Sequence, residues 1–236
     1  MNIRILQLIE GAKAATGTTV VIDVFRAFSV EACFFALGAD RIYPVGDSSL
    51  AYKLKEQNPQ WILAGERHGK ILPGFDTGNA PSLLEALNPA GKTVVHTTSA
   101  GTQGIANAVN ATEILGASLL TAKATADYIK RSGATDVSLV CMGLEALAPT
   151  DEDTLCAEYI KSLLEGNPID MPPRIEALKY TSGAKFFDKA QNDVFPEADF
   201  HICTQLDKFD FTLRLNTDTD GLPYMEKISP ADGKRI

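Results

Sequence analysis

The chain has 236 residues, of which 45% are hydrophobic, and carries a formal net charge of -8. This length and composition are typical of a globular protein with a full hydrophobic core. A negatively charged surface repels nucleic acid and anionic membranes, so neither is expected as a partner. A small anionic substrate would therefore need a local cationic pocket.

The sequence gives no sign of a membrane segment or a disulfide framework. No stretch approaches the roughly 18 to 20 apolar residues of a membrane helix, and the N-terminus lacks a signal-like pattern. The four cysteines form no Cys-x-x-Cys pair, which favours reduced, packed thiols over disulfides or a zinc knuckle. We therefore expect a cytoplasmic protein, and self-association into a homo-oligomer is an expectation on base rates alone.

Short apolar runs alternate with helical spacing over the first two thirds of the chain. This rhythm predicts a layered α/β/α fold with a central, mostly parallel sheet of about six strands. The predicted strands are residues 18–23, 41–45, 61–64, 93–97, 113–115 and 137–142. The predicted helices between them are residues 28–37, 50–55, 105–110 and 125–130.

The last third of the chain differs in composition. A polar run from Thr150 to Asp153 precedes helical apolar spacing and predicts a capped helix, in which Glu152 and Asp153 oppose the helix dipole. Two late strands are predicted at 209–215 and 224–228. We expect one compact chain, with a core over about 1–168 and a smaller mixed α/β part over about 169–236.

The first candidate site follows strand 18–23, where Asp23 and Arg26 stand near the start of a helix. Ligands of parallel sheets collect at the carboxyl ends of strands. Mg²⁺ prefers one or two carboxylates with water and phosphate oxygens, and arginine binds phosphate. A structural Asp–Arg ion pair explains the two residues equally well. Phe25 stands where aspartate phosphatases of the haloacid-dehalogenase type have a second Asp, so their phosphoenzyme mechanism is not supported.

Two further loops carry candidate residues. Strand 61–64 leads into Glu66, Arg67 and His68, which are flanked by glycines; a solvated loop is the alternative. The irregular loop 73–81 contains Asp76 and Asn79, which supply oxygen ligands or hydrogen bonds. An ordinary turn with Asx capping would account for Asn79 without any ligand.

The strongest local pattern follows strand 93–97, where a loop rich in hydroxyl groups opens the next helix. Free backbone N–H groups at a helix start, together with Thr and Ser hydroxyls, bind phosphate or sulfonate. The loop has neither the P-loop lysine nor the dinucleotide pattern, so ATP and NAD are not implied. Helix capping remains the alternative. The residues concerned are Thr97, Thr98, Ser99, Gly101 and Thr102.

These four motifs, in their order and spacing, resemble the 2-phosphosulfolactate phosphatase (ComB) family. The resemblance is firmest from about Val20 to Tyr159. It implies a layered α/β fold and Mg²⁺-dependent hydrolysis of 2-phospho-3-sulfolactate to 3-sulfolactate and phosphate, a step toward coenzyme M. Ala80 and Ala100 depart from residues common in the family, Ser and Asn, and each removes a hydrogen bond that could set specificity.

The resemblance leads to a specific hypothesis about roles. Asp23 and Asp76, with Glu66, are expected to hold Mg²⁺, while Arg26 and Arg67 bind substrate oxygens together with Asn79 and the loop Thr97–Thr102. A metal-positioned water is the preferred nucleophile and attack by Asp23 the alternative. Glu66, His68 and metal-bound water are candidate proton donors. The rival from another class is a non-catalytic binder or sensor of small sulfonates or phosphates.

Overall fold

The computed structural model describes residues 1–230. The strands are β1 (Asn2–Gln7), β2 (Gly17–Ile22), β3 (Arg41–Pro44), β4 (Ile62–Arg67), β5 (Lys70–Ile71), β6 (Thr93–Thr97), β7 (Ala111–Ala117), β8 (Asp136–Cys141), β9 (Thr212–Thr217) and β10 (Pro223–Ile228). The α-helices are α1 (Leu8–Ala14), α2 (Ala27–Ala36), α3 (Ser48–Gln57), α4 (Gly101–Asn107), α5 (Ala122–Ser132), α6 (Asp151–Glu165), α7 (Pro172–Ala177) and α8 (Glu197–Cys203). Short 3₁₀ helices cover Pro81–Leu87, Leu178–Tyr180, Ala184–Phe187 and Lys189–Gln191.

The sheet consists of two parallel parts joined by an antiparallel hairpin. One part has the order β1-β8-β2-β7 and the other β3-β6-β4, and the hairpin of β9 and β10 lies between them. β9 pairs with β7 at Leu115 and Gly116, and β10 pairs with β3 at Ile42. β5 extends the outer edge of the second part, antiparallel to β4. The last two strands in the chain therefore occupy the middle of the sheet.

Helices pack on both faces of this sheet. Val20 and Ile22 of β2 contribute to a core cluster with α5 and α6, whereas Val21 contributes to a second cluster with α2 and α4. This division follows from the alternation of side chains along a strand. Gly104 of α4 lies so close to β2 that an added Cβ would be 2.5 Å from the Val21 side chain. Helix α4, however, follows β6, and β6 and β2 lie on opposite sides of the β9–β10 hairpin. The sheet therefore bends around α2 and α4.

The predicted layered α/β fold with a mostly parallel sheet is confirmed. Each predicted strand overlaps an observed one, and strand 93–97 has the predicted bounds. The described sheet has ten strands instead of about six, because β1, β5 and the late hairpin join it. Strand β1 and helix α1 were not predicted. None of the helices within residues 1–230 combines the length and apolar character needed to cross a membrane.

Candidate active site

A cleft lies where β2, β4, β6 and β8 end, and the bending of the sheet brings these strand ends together. Its lining combines predicted site residues with residues that were not predicted to belong to the site. The predicted members are Asp23, Arg26, Glu66, Asn79 and Ser99. The others are Phe25, Gly69, Ala100, Gly143, Leu144, Glu145, Glu152, Lys185 and Phe195.

Asp23 lies at the floor of the cleft, directly after β2. Its Oδ1 accepts a hydrogen bond of 3.0 Å from the backbone N–H of Ala27 at the start of α2. Burial raises the pKa of Asp23 to about 6; the N–H groups of Ala27 and Gly101 lower it, and the charges of Glu66 and Glu152 raise it. A Cβ on Gly101 would lie 2.7 Å from that of Ala27, so the close approach at this point requires glycine.

Glu66 connects the loops that follow β4 and β6. Its Oε1 accepts from the backbone N–H of Ser99 at 2.8 Å, and its Oε2 accepts from the N–H of Gly69 at 2.7 Å. The Ser99 hydroxyl also donates to Oε2 at 3.3 Å. Glu66 is therefore a buried carboxyl group held in one orientation.

The first turn of α6 contributes two acidic residues with different surroundings. The Asp153 carboxylate accepts from the backbone N–H of Val24 at 2.8 Å and from that of Gly143 at 2.8 Å. Asp153 lies in the first turn of α6, as predicted, and its carboxylate also fixes the loops after β2 and β8. Glu152 lines the cleft, is 3% exposed, and its Oε2 has no hydrogen-bond partner within residues 1–230. Burial raises the pKa of Glu152.

Arg26 forms a buried ion pair with a residue from the last third of the chain. Its Nη1 donates to Asp199 Oδ2 at 2.7 Å, and both side chains are almost completely buried. Asp199 Oδ1 accepts from the backbone N–H of Ser82 at 2.9 Å. The guanidinium also lies 5.0 Å from the centroid of the Phe195 ring. The predicted structural alternative thus applies, with Asp199 in place of Asp23 as the partner.

Asn79 is oriented by a buried chain of side chains. His96 Nδ1 lies 2.8 Å from Glu31 Oε1, and His96 Nε2 lies 3.0 Å from Asn79 Oδ1. His96 and Glu31 are fully buried. Because an amide oxygen can only accept a hydrogen bond, the contact with Asn79 Oδ1 makes His96 Nε2 the donor. The Asn79 amide nitrogen, which has no partner within residues 1–230, is then the donor available to the cleft.

The predicted hydroxyl loop is used mainly for internal bonds. Thr98 and Thr102 cap each other, since the N–H of each residue donates to the hydroxyl of the other, at 3.1 and 3.2 Å. Thr97 accepts from Arg67 Nη2 at 2.9 Å. The structure does not bring these three threonines to the cleft, and the capping alternative describes Thr98 and Thr102. Ser99 is the predicted hydroxyl residue of the loop that lines the cleft, together with its neighbour Ala100.

Arg67, Asp76 and His68 also lie away from the cleft lining. Besides Thr97, Arg67 donates to the backbone carbonyls of Glu66 at 2.7 Å and Gly46 at 3.2 Å. Asp76 Oδ2 accepts from the N–H of Leu63 at 2.8 Å and from Lys55 at 2.9 Å. The His68 side chain is 80% exposed, with Nδ1 2.9 Å from Glu145. The structure therefore does not bring Arg67 or Asp76 into the cleft lining that contains Asp23 and the Glu66 carboxyl group.

The donor chemistry of the cleft fits a hard divalent cation. Asp23 and Glu66 are the members of the predicted metal set that line it, and the Glu152 carboxylate lies in the same lining. Mg²⁺ takes one or two carboxylates and completes its coordination with water and phosphate oxygens. Within residues 1–230, no three His, Cys, Asp or Glu side chains converge as a protein-only metal cluster. Asp23 and Glu66 could therefore hold the cation with substrate and water.

The sequence missed Glu152, Asp199 and Lys185 as residues of this site. Glu152 had a local signal, because three consecutive acids, residues 151–153, follow Thr150 in the sequence. Asp199 and Lys185 lie in the segment of changed composition, and no local pattern connects them to Asp23 or Arg26. The four cysteines are buried free thiols, as predicted. Burial raises the pKa of Cys33 to about 11, which makes that thiol unreactive.

Comparison with known proteins identifies the family. The 2-phosphosulpholactate phosphatase family matches residues 3–218. A probable 2-phosphosulfolactate phosphatase of Bacillus subtilis (strain 168) is 32% identical over 97% of this chain and 99% of its own length. A probable 2-phosphosulfolactate phosphatase of Carboxydothermus hydrogenoformans is 39% identical over 70% of this chain and 68% of its own length. One of Thermus thermophilus is 34% identical over 80% of this chain and 84% of its own length. The predicted resemblance is confirmed, and the chain belongs to the 2-phosphosulpholactate phosphatase family of phosphoric monoester hydrolases.

Proposed function

We propose that this enzyme hydrolyses 2-phospho-3-sulfolactate, or a closely related phosphorylated acid, to 3-sulfolactate and phosphate in this cleft, with Mg²⁺ as cofactor. The observation that carries the proposal is that three buried acidic residues, Asp23, Glu66 and Glu152, line one cleft with Asn79 and Ser99. Its support is the family membership and the names of the relatives.

Bound at Asp23 and Glu66, the cation would neutralise charge on the phosphoryl oxygens, which is the largest electrostatic need of phosphoryl transfer. Asp23 supplies an oxygen anchored by the N–H of Ala27 at the cleft floor. Glu66 is held by Ser99 and Gly69. Because their backbone donors fix both carboxylates before substrate arrives, the site needs little reorganisation on binding.

The protein groups divide the remaining tasks. The Asn79 amide nitrogen, fixed by His96, donates to a phosphoryl oxygen. Glu152 is the proton donor to the leaving alkoxide, because its Oε2 is unpartnered within the described chain and burial favours its protonated form. The other candidates suit this role less well: Glu66 accepts three hydrogen bonds, and His68 is largely exposed outside the cleft lining. Water is the nucleophile, and attack by Asp23 is the alternative.

The choice of the 3-sulfolactate ester over other phosphorylated acids rests on the relatives' names. Ala100 lies in the cleft lining, where the family often has Asn, so one substrate hydrogen bond is absent here. Loss of a hydrogen bond to a buried polar atom changes the free energy that distinguishes one substrate from another by roughly 1 to 3 kcal/mol. Related 2-hydroxy acid phosphates therefore belong in any assay.

The test is phosphate release from 2-phosphosulfolactate and from a panel of phosphorylated 2-hydroxy acids, with Mg²⁺ and then with a chelator. We expect turnover that stops on chelation and returns when Mg²⁺ is restored. Asp188→Asn, at an exposed carboxylate that is not part of the cleft lining, is the matched control and should retain wild-type turnover. Binding of these compounds with no turnover on any of them would instead identify a non-catalytic binder of phosphates and sulfonates.

A further inference from the structure

The cations of the cleft are not equivalent. Among the described residues that line it, Arg26 and Lys185 are positive, whereas Asp23, Glu66, Glu145 and Glu152 are acidic. Arg26 is already neutralised by Asp199 in a buried ion pair of 2.7 Å. Lys185 has no carboxylate within 4.0 Å in residues 1–230, although its charge acts on Glu152 across the cleft. Lys185 is therefore the one unpaired cation that the described chain presents to a ligand here.

Aromatic rings hold Lys185 in position without neutralising it. Its ammonium lies 5.2 Å from the centroid of Phe195, 5.6 Å from Phe186 and 6.0 Å from Phe25. Contacts of this kind are attractive, yet they leave the formal charge available to an anion. Phe186, the next residue in the same short helix, is 1% exposed and packs edge-on against Phe25. The backbone that carries Lys185 is thus anchored in the core beside the strand-end loops.

We propose that Lys185 binds the second acid group of the substrate, its sulfonate or carboxylate, and so selects phosphate esters that carry an additional anion. This rests on the proposed function. The carboxylates of Asp23 and Glu66, with a bound cation, serve the phosphate at the cleft floor. A second anion would meet the acidic side chain of Glu145 in the same lining unless a cation compensates it. Lys185 supplies that compensation from the segment that follows α7.

The test separates the two halves of the substrate by using the products as ligands. Binding of 3-sulfolactate and of inorganic phosphate is measured separately by calorimetry in the presence of Mg²⁺. The variants are Lys185→Met, which keeps the length of the side chain without its charge, and Lys185→Arg, which keeps the charge. Lys189→Met, on an exposed residue of the following short helix, is the matched control. Thermal unfolding of each variant verifies that it is folded.

Lys185→Met should weaken binding of 3-sulfolactate about tenfold or more, because a charge-assisted hydrogen bond is lost, and should leave phosphate binding within about twofold. Lys185→Arg should recover most of the loss, and Lys189→Met should match wild type. Failure of the wild-type protein to bind 3-sulfolactate, an equal loss for both ligands, or a loss confined to phosphate would each overturn the inference. Absence of hydrolysis by wild type contradicts the proposed function instead, and leaves this binding measurement decisive.

Discussion

The strand-end loops and the segment from α7 to α8 form the same cleft in different ways. The loops contribute Asp23, Glu66 and Asn79, each held by hydrogen bonds within the strand-end framework. The segment contributes Lys185 and Asp199, which act on that framework from outside: one faces the cleft, and the other neutralises Arg26. Hydrogen bonds within the strand-end loops and strands therefore hold the floor of the site, whereas the balance of charge in the cleft depends on residues more than a hundred positions away in the sequence.

The largest expected effect comes from the floor. Asp23→Asn should lower turnover by about a thousandfold or more, since it removes the central carboxylate of the proposed metal site. The measurement is steady-state phosphate release with saturating Mg²⁺. Turnover within about tenfold of wild type, with normal metal dependence, would show that Asp23 at the cleft floor is not the central carboxylate of the metal site.

The same variant should be more stable than wild type when metal is chelated. The folded state raises the pKa of Asp23 from 3.8 to about 6, so it binds a proton more tightly than the unfolded chain. The part of the free energy of unfolding that comes from protonation of Asp23 is therefore lost as pH rises from about 4 to 6, and this loss is complete above pH 6. Asp23→Asn should unfold a few degrees higher at pH 7.5, with a smaller difference at pH 4, in thermal scans with chelator. If Asp23→Asn and wild type unfold at the same temperature at both pH values, the ionised Asp23 carboxylate is not destabilised by burial.

The contribution of the outer segment is tested at the ion pair. Asp199→Asn leaves Arg26 charged and buried, which should destabilise the protein by about 3 to 5 kcal/mol. Chemical denaturation measures this free energy of unfolding. Asp127→Asn, at the exposed pair with Lys123, should change it by less than about 1 kcal/mol. Similar effects of the two substitutions would mean that the segment does not hold Arg26 in solution.

Glu152 joins the two regions, because α6 follows the loops and precedes the segment. Glu152→Gln should lower kcat by roughly a hundredfold and abolish its decrease at high pH, since the amide cannot act as an acid. The buried carboxyl of wild type has a raised pKa, so its acid form persists to higher pH and activity declines as it ionises. The pH–rate profile is the measurement, with exposed Asp151→Asn as control. If kcat of Glu152→Gln still decreases at high pH as it does in wild type, Glu152 is excluded as the proton donor.

The smallest effect should come from the support of Asn79. His96→Asn retains a polar group toward Glu31 but loses the donor to Asn79, and it should reduce kcat/KM about tenfold. His96→Gln can still reach Asn79 and should restore most of the activity. Nitrogen NMR of wild type should show a protonated Nε2 on His96. A deprotonated Nε2 on His96, or equal kcat/KM for the two variants, would contradict the proposed orientation of the Asn79 amide.

The sequence predicted the parts of the site that depend on local structure. An apolar strand ending in an acid places that acid at the edge of the sheet, which is why Asp23 and Glu66 lie in the cleft. Local reasoning did not settle how polar groups are shared within a loop, as Thr98 and Thr102 show by capping each other. It could not find Asp199 or Lys185, because their roles depend on the packing of distant segments around Phe186 and Phe195.

The hairpin of β9 and β10 has a consequence for how the chain reaches its native state. Until these strands form, β7 and β3 are open edges of two separate parallel ribbons, each able to pair with another chain. During synthesis, both ribbons emerge from the ribosome before the element that closes the gap between them. Removal of the residues from 212 onward would therefore split the sheet at its centre, and such a product should aggregate instead of folding as a shortened enzyme.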